Sequence, residues 1–440
     1  MPLLSKIRPS PTQRGGSSTV SAMTEDVDLF HWPLITSEDE KAVLDVLRRG
    51  AMSGLDETEA FEQDFAGYQG VNYAVGYNNG TAAIQAAMFA CGVEGGTEVI
   101  GPSLTYWASV LPARGLGAKI VFAEVDPESL CIDPNDIEHR ITSKTRAIVA
   151  VHAFGHPADM DRILSVARRH GLKVIEDFSH AQGGHYKGRR VGSIGDVGAA
   201  SLMSKKSLAA GEAGMLVTDD LVIRDMALAW GHHKQFDAQI DTESLRPFAG
   251  LPLGGIKGRM HQLSAAVGRV QLRHYDARCD EIRRAMDRFW HQLDGVCGLR
   301  PHRTTDQGSD MAGWYSPTAH YDPKEFGGLS VSTFARAVRA EGSICGGGGN
   351  RPLHLHPLFA SPVCANPTTH PVVLPSPGSL PITEAIGGRI CKVPWFKHDR
   401  PEAIEWHAAV YRKVAENYEQ LLPDDLGDPP QMGSWTLSAV

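Results

Sequence analysis

Short apolar runs and helix-spaced apolar stripes alternate along residues 73–219, and this alternation organises the chain. The runs at 74–77, 98–101, 119–125, 147–152, 173–177 and 215–218 have the length and the aliphatic content of buried strands. Between two of them, residues 161–170 place Ile163, Leu164, Val166 and Ala167 on one helical face. Strand and helix in such alternation predict an α/β fold around a mostly parallel central sheet. Ligands in folds of this kind gather at the carboxyl ends of the strands, so residues that follow a strand are the first functional candidates.

Upstream, Ser37 followed by Glu40 has capping-box spacing, and Val43, Leu44, Val46 and Leu47 form a stripe that Gly50 ends, which predicts an amphipathic opening helix. Residues 1–29 mix Ser, Gly, Pro and isolated charges without a period and read as a mobile N-terminal arm. Residues 261–293 read as one long amphipathic stretch, long enough to leave a first domain and enter a second, with the boundary near Asp280. The expected organisation is therefore an arm over 1–29, a large domain over 30–280 and a smaller C-terminal domain over 281–440. Gly- and Pro-rich connections lie around 346–357 and 371–381, before a terminal helix over about 401–422.

Composition narrows the class. A chain of 440 residues with 42% hydrophobic and 21% charged positions is an ordinary globular one, too long for a single core. Its formal net charge of −8 excludes a general nucleic-acid or anionic-membrane binder. No apolar stretch approaches the length of a membrane span, and the first residues lack a signal-peptide core. The 7 cysteines are scattered without a CxxC pair, as expected of reduced cytoplasmic thiols and not of a disulfide frame or a zinc site. A regulator that binds DNA would need a helix-turn-helix, for which residues 1–36 are too few.

Three segments after strands carry candidate chemistry. Asn78, Asn79, Gly80 and Thr81 make a strand end, a turn and a helix start, where free N–H groups and the helix dipole suit a phosphate, or Thr81 simply caps the helix. In VIEDFSHAQGG, Asp177 ends an apolar strand, where a carboxylate needs a cationic or donor partner. A protonated pyridine nitrogen is one such partner, and a helix cap or salt bridge the alternative. His180, three residues on, contacts either a ring hydroxyl or only the core. The third segment runs from Ser201 through Lys205 and Lys206 to Gly211, Glu212 and Gly214, a strand followed by lysines in a small-residue loop. A Schiff-base lysine must be desolvated enough to be nucleophilic, whereas most lysines are surface groups.

In this order and at these separations, the segments resemble pyridoxal-phosphate enzymes of the aspartate-aminotransferase fold (fold type I). More narrowly, NGTAA, EVIGPSLTYWAS, AIVAVHAFGHPADMD, VIEDFSHA, YKGRRVGSIGD and GEAG are similar to the DegT/StrS sugar aminotransferases, and among them to those that act on cyclitols. The resemblance implies an α/β large domain with a smaller C-terminal α+β domain. It makes Lys206, five residues before Gly211, the lysine that holds pyridoxal phosphate, with Lys205 its neighbour. It makes Asp177 the partner of the pyridine nitrogen, His180 the residue near the 3-hydroxyl, Gly80, Thr81 and Ser201 the phosphate ligands, and Tyr106 the ring stacked on the pyridine face.

Two departures stand out: GEAG where the family more often has GEGG, and Lys257-Gly258-Arg259 where it often has an Asn-aromatic-Arg segment that reaches the neighbouring subunit's phosphate site, so that Lys257 and Arg259 are the cofactor-binding cations expected across the dimer. His354 and His356 alternate at strand spacing and read as a structural pair or a polar wall for a hydroxylated ring, not as a metal site. The expected function is transfer of an amino group from glutamine or glutamate to a keto-sugar or keto-cyclitol by a cytoplasmic homodimer. A dehydratase or dehydratase-aminotransferase on the same scaffold is the alternative. Because dehydratase relatives replace the Schiff-base lysine by histidine, Lys206 favours transamination.

Overall fold

The computed structural model describes residues 29–360 and 377–430, so the expected arm, apart from Leu29, and residues 371–376 of the second connection lie outside the described residues. Seven strands form the central sheet: β1 (Tyr73–Tyr77), β2 (Glu98–Pro102), β3 (Lys119–Ala123), β4 (Thr145–Val151), β5 (Lys173–Asp177), β8 (Val197–Ser201) and β9 (Gly214–Thr218). A short hairpin, β6 (His185–Tyr186) and β7 (Arg189–Arg190), stands apart from it. The sheet order is β1-β9-β8-β5-β4-β2-β3. Neighbours from β8 to β3 pair in parallel, and β9 alone runs against both of its neighbours. This reversal makes residues 202–213 a direct connection between adjacent strands and leaves Lys206 beyond the carboxyl end of β8.

Both faces of the sheet are covered, which is why its strands read as continuous apolar runs. Ile148 and Val174 join a core with Phe61, Phe65 and Phe178, while their neighbours Val149 and Ile175 join another with Ile84, Ala87 and Leu228. Helices α1 (Ser37–Arg48), α2 (Asp56–Gln69), α3 (Gly80–Ala90), α4 (Met160–His170), α5 (Leu221–Gly231) and α6 (Gln262–Arg273) belong to this part of the chain. In α4, Ile163, Val166 and Ala167 are buried as the stripe predicts, while Leu164 is half-buried.

The opening helix departs from expectation. Its cap is Thr36, one residue before the predicted Ser37, because the Asp39 carboxylate accepts both the Thr36 N–H and its hydroxyl at 2.8 Å. Of its apolar stripe only Val46 is buried; Leu44 and Leu47 are 43% and 44% exposed.

The long stretch at 261–293 is not one helix but two. It breaks at His274 between α6 and α7 (Tyr275–Gln292). Tyr275 and Cys279 pack in the first core, whereas Ile282, Met286 and Phe289 pack in another with Phe334, Phe396 and Tyr411. Helices α8 (Val331–Ala340) and α9 (Pro401–Glu416) cover this last core. Its sheet is antiparallel in the order β10-β11-β13-β12, from β10 (Leu299–Pro301), β11 (Thr318–Tyr321), β12 (Gly346–Gly347) and β13 (Ile390–Lys392). Leu29 joins that core too, and its carbonyl accepts from the Lys397 N–H at 3.0 Å. Among the described residues, no helix is long and apolar enough to cross a membrane.

Candidate active site

The ends of β1, β5 and β8 converge. Asn79 has an extended backbone (φ −165°) and caps α3 by accepting the Ala82 N–H at 2.8 Å, so the helix opens with the N–H groups of Gly80 and Thr81. Gly80 is required by proximity: a Cβ there would stand 2.6 Å from Ser201 Cβ and 2.7 Å from Ser201 Cα. The structure thus brings Gly80, Thr81 and Ser201 together, with Ser201 held by its N–H donating to Ser179 Oγ at 2.8 Å. A helix N-terminus and a hydroxyl at this spacing form a cradle for an anion.

Asp177 ends β5 and is 4% exposed. Ser109 Oγ donates to its Oδ2 at 2.6 Å and the Ser179 N–H to its Oδ1 at 3.0 Å, and each carboxylate oxygen retains a lone pair for a further donor. Beneath it, Glu176 is fully buried and accepts from His152 Nε2 at 3.0 Å and from the N–H groups of Gly192, Ile194 and Gly195. Burial acts to raise the Glu176 carboxyl, but His152 and these N–H groups hold it below its ordinary value. This network fixes the strand end that presents Asp177. Tyr106 precedes the single turn Trp107–Ser109, so the segment that carries it is tied to Asp177 through Ser109.

Lys205 is exposed, but Lys206 is only 6% exposed. Lys206 Nζ lies 4.2 Å from the centroid of the Tyr315 ring, and its carbonyl accepts from Trp32 Nε1 at 2.7 Å. The same Tyr315 ring stacks on His180 at 4.5 Å, with Phe154 on a parallel plane at 6.1 Å. Burial first, then the charges of Lys206 and Lys392, push the His180 pKa well below its ordinary value. The imidazole is therefore neutral, and since its Nδ1 accepts the Phe154 N–H at 3.4 Å, its proton resides on Nε2.

Lys257 and Arg259 stand elsewhere on the rim. Residues 258–260 line the outer edge of β1, where the Asn78 N–H donates to Gly258 O at 2.7 Å and the Met260 N–H to Gly76 O at 3.2 Å. Lys257 is exposed, while Arg259 is half-buried and donates to Ser53 O at 3.3 Å.

The two later histidines are not on a strand. Residues 353–355 form a single turn that docks on Ser103 beyond the end of β2. His354 is bound at both ring nitrogens, by Ser103 Oγ at 2.7 Å and Glu384 Oε1 at 3.0 Å, whereas His356 is half-buried and accepts the Leu358 N–H. They therefore do not share a strand face, and the hydrogen bonds of His354 are used in fastening this loop. Among the described residues, no group of three or more His, Cys, Asp or Glu side chains is placed to hold a metal.

Sequence reasoning passed over Trp32 and Tyr315. Tyr315 lies between Trp314 (φ +49°) and Ser316 (φ +52°), an irregular segment without a period to reveal it. Ser109 did lie within a recognised segment, PSLTYWAS, where a hydroxyl three residues after the aromatic was the available signal.

The sequence pattern of the DegT/DnrJ/EryC1/StrS aminotransferase family matches residues 33–406. The L-glutamine:2-deoxy-scyllo-inosose aminotransferase of Streptoalloteichus tenebrarius is 34% identical over 346 residues, which are 75% of this chain and 80% of that protein. The spore coat polysaccharide biosynthesis protein SpsC of Bacillus subtilis is 35% identical over 335 residues, 75% of this chain and 85% of that one. Among solved structures, an aminotransferase from Psychrobacter cryohalolentis superposes with a TM-score of 0.76 at 28% identity, covering 89% of this chain and 100% of that chain.

Proposed function

The chain belongs to the DegT/DnrJ/EryC1/StrS aminotransferase family, and we propose that it uses pyridoxal phosphate to transfer the amino group of glutamine or glutamate to a keto-cyclitol or keto-sugar. The observation that carries the site assignment is the burial of Lys206 against Tyr315, on the ring that stacks on His180, while Lys205 is exposed. The residues fit the cofactor. Gly80 has no room for a side chain beside Ser201, which keeps the N–H groups of the helix mouth and the Ser201 hydroxyl together for a phosphate. Asp177 is a buried carboxylate with spare acceptor capacity for a pyridinium N–H.

When bound, pyridoxal phosphate supplies the electron sink that stabilises negative charge at the donor Cα. Asp177 holds the proton on the ring nitrogen, which keeps that sink cationic. Lys206 takes the proton from the donor Cα and returns it on the other side of the transfer, as general base and then general acid. His180 offers its Nε2 proton to a ring oxygen, and its neutral state avoids adding a third positive charge beside Lys206 and Lys392. Tyr106 covers the ring face.

Glutamine as donor and a cyclitol as acceptor are supported by the relative from Streptoalloteichus tenebrarius. The shift from one core to another between Cys279 and Ile282 supports a domain boundary near residue 280.

A homodimer belongs to the same reading. Ile35, Leu44, Leu47 and Met52 in the segment before Ser53, and Phe248, Leu251 and Leu253 in the segment before Arg259, are 42–77% exposed apolar side chains, and the two segments meet where Arg259 donates to Ser53 O. A second copy that buries them would cover the segment that carries Lys257 and Arg259, the cations that the family resemblance assigns to the partner's phosphate site. Scattered cysteines without a CxxC pair support a cytoplasmic location.

The test is a half-reaction. Holoenzyme mixed with glutamine should convert its cofactor to the amine form, and a keto-cyclitol should restore it. Reduction with borohydride followed by peptide mass analysis should place the pyridoxyl mass on Lys206. Mass on Lys205, or no conversion with any amino acid, overturns the reading.

A further inference from the structure

A second cation, Lys392, lies on the face of the small domain that packs toward the His180 ring. Side chains alternate along β13: Cys391 enters the last core with Ala319 and Tyr321 of β11, whereas Ile390 packs in the core of Phe154. Lys392 shares the face of Ile390, and directly paired residues of an antiparallel sheet share a face, so Thr318 and His320 lie on it as well. That face is turned to the large domain. On the other flank the partner of Lys392 is Gly346, where an added Cβ would lie 3.5–3.9 Å from Lys392 Cβ, Cγ and Cδ. The glycine run then passes Phe154, which a Cβ on Gly349 would approach to 3.5 Å, and Phe154 lies over His180.

Lys392 is half-buried. Its charge acts on His180 together with that of Lys206. Among the described residues, no carboxylate forms an ion pair with it. A half-buried ammonium without an ion-pair partner, on the small-domain face that packs toward the ring of His180, is suited to an anion that arrives with the substrate.

We propose that Lys392 binds the α-carboxylate of the amino donor and thereby selects α-amino acids, an inference that rests on the proposed transamination at Lys206. The choice of donor over acceptor follows from bond connectivity. An α-carboxylate is attached to the carbon whose proton Lys206 moves, so it must lie next to Lys206 during the reaction. A charged group on a keto-sugar or keto-cyclitol is separated from the reacting carbonyl by the ring.

The experiment compares glutamine with glutaminol, in which the carboxylate is an alcohol, by the saturation of the cofactor half-reaction in holoenzyme. Wild type should favour glutamine by about 10- to 100-fold in apparent dissociation constant, the usual worth of a charge-assisted contact. Lys392→Met should weaken glutamine by that factor and glutaminol by less than about 2-fold, and Lys392→Arg should restore most of the loss. Return of the amine form with the keto acceptor should be unchanged in Lys392→Met, a split that a merely structural lysine does not produce. Equal saturation by glutamine and glutaminol in wild type overturns the assignment even if Lys392→Met does not fold. Loss of acceptor affinity with donor affinity spared overturns it as well. An enzyme converted by no amino donor removes the transamination reading itself, which separates the two failures.

Discussion

Replacing Gly80 by alanine tests the phosphate cradle. The added methyl would stand 2.6 Å from Ser201 Cβ, 2.7 Å from Ser201 Cα and 2.9 Å from Ser201 N. Carbon atoms in contact prefer about 3.5–4.0 Å, so the mouth of α3 and the end of β8 must part by roughly 1 Å. Two of the three atoms are backbone and cannot turn aside. Overpacking of this kind costs about 1–3 kcal/mol of stability. The same separation draws the N–H groups of Gly80 and Thr81 away from the Ser201 hydroxyl. Loss of one charge-assisted hydrogen bond to a phosphate is worth about 1.5–3 kcal/mol, or about 10- to 100-fold in affinity. Gly80→Ala should therefore melt a few degrees lower as apoprotein and bind pyridoxal phosphate 10- to 100-fold more weakly, on the order of those energies. Equilibrium binding followed by tryptophan fluorescence measures the second effect apart from turnover. Thr81→Val, which keeps the backbone N–H and loses one hydroxyl, should lose less than about 10-fold. A Gly80→Ala protein that melts lower yet binds pyridoxal phosphate within about 2-fold of wild type would refute the cradle.

Further expectations concern the ring, the interface and acid. Asp177→Asn should stay folded, since its amide oxygen can accept the Ser179 N–H while its NH2 donates to Ser109 Oγ, but lose about 2 orders of magnitude or more in turnover; near-normal turnover would end its pyridinium role. Mixed dimers of Lys206→Ala with Arg259→Ala should regain activity if Arg259 serves the partner's site, and no recovery despite proven subunit exchange would remove that contribution. Burial lowers the pKa of His156, His180, His232, His302, His320 and His407, with His232, His320 and His407 near 4. Above about pH 6.5 these groups are neutral folded or unfolded; below it the unfolded chain takes protons that the folded one refuses, so stability falls as pH drops, by up to about 1.4 kcal/mol per pH unit for each. Glu62, raised to about 8 by burial, offsets one such proton in the opposite sense. The urea midpoint should fall from pH 7 to pH 5, and a flat profile would contradict neutral burial.

The reach of the sequence ended where periodicity ended. Strands β2, β4 and β5 are buried on both faces, so their centres are apolar without alternation, and the chemistry that follows them is placed by knowing where each strand stops. That is why Asp177 and His180 could be placed just beyond a strand, whereas the choice of Lys206 over Lys205 comes from the family resemblance; the structure buries Lys206 and exposes Lys205. The opening cap slipped by one residue because Thr36 and Ser37 are both capping types and both have an acid three residues on. In the small domain, β12 is two glycines and β10 three residues, too short for any alternation to register. The histidines at 354 and 356 mimic that alternation within a single turn, where their spacing has a different meaning. Tyr315 stacks on His180, and the charge of Lys392 acts on it, from segments more than 100 residues downstream, and their placement depends on how two sheets meet. Local pattern therefore locates the groups built into the large sheet, while those that face them from the small domain emerge only once the two cores are packed together.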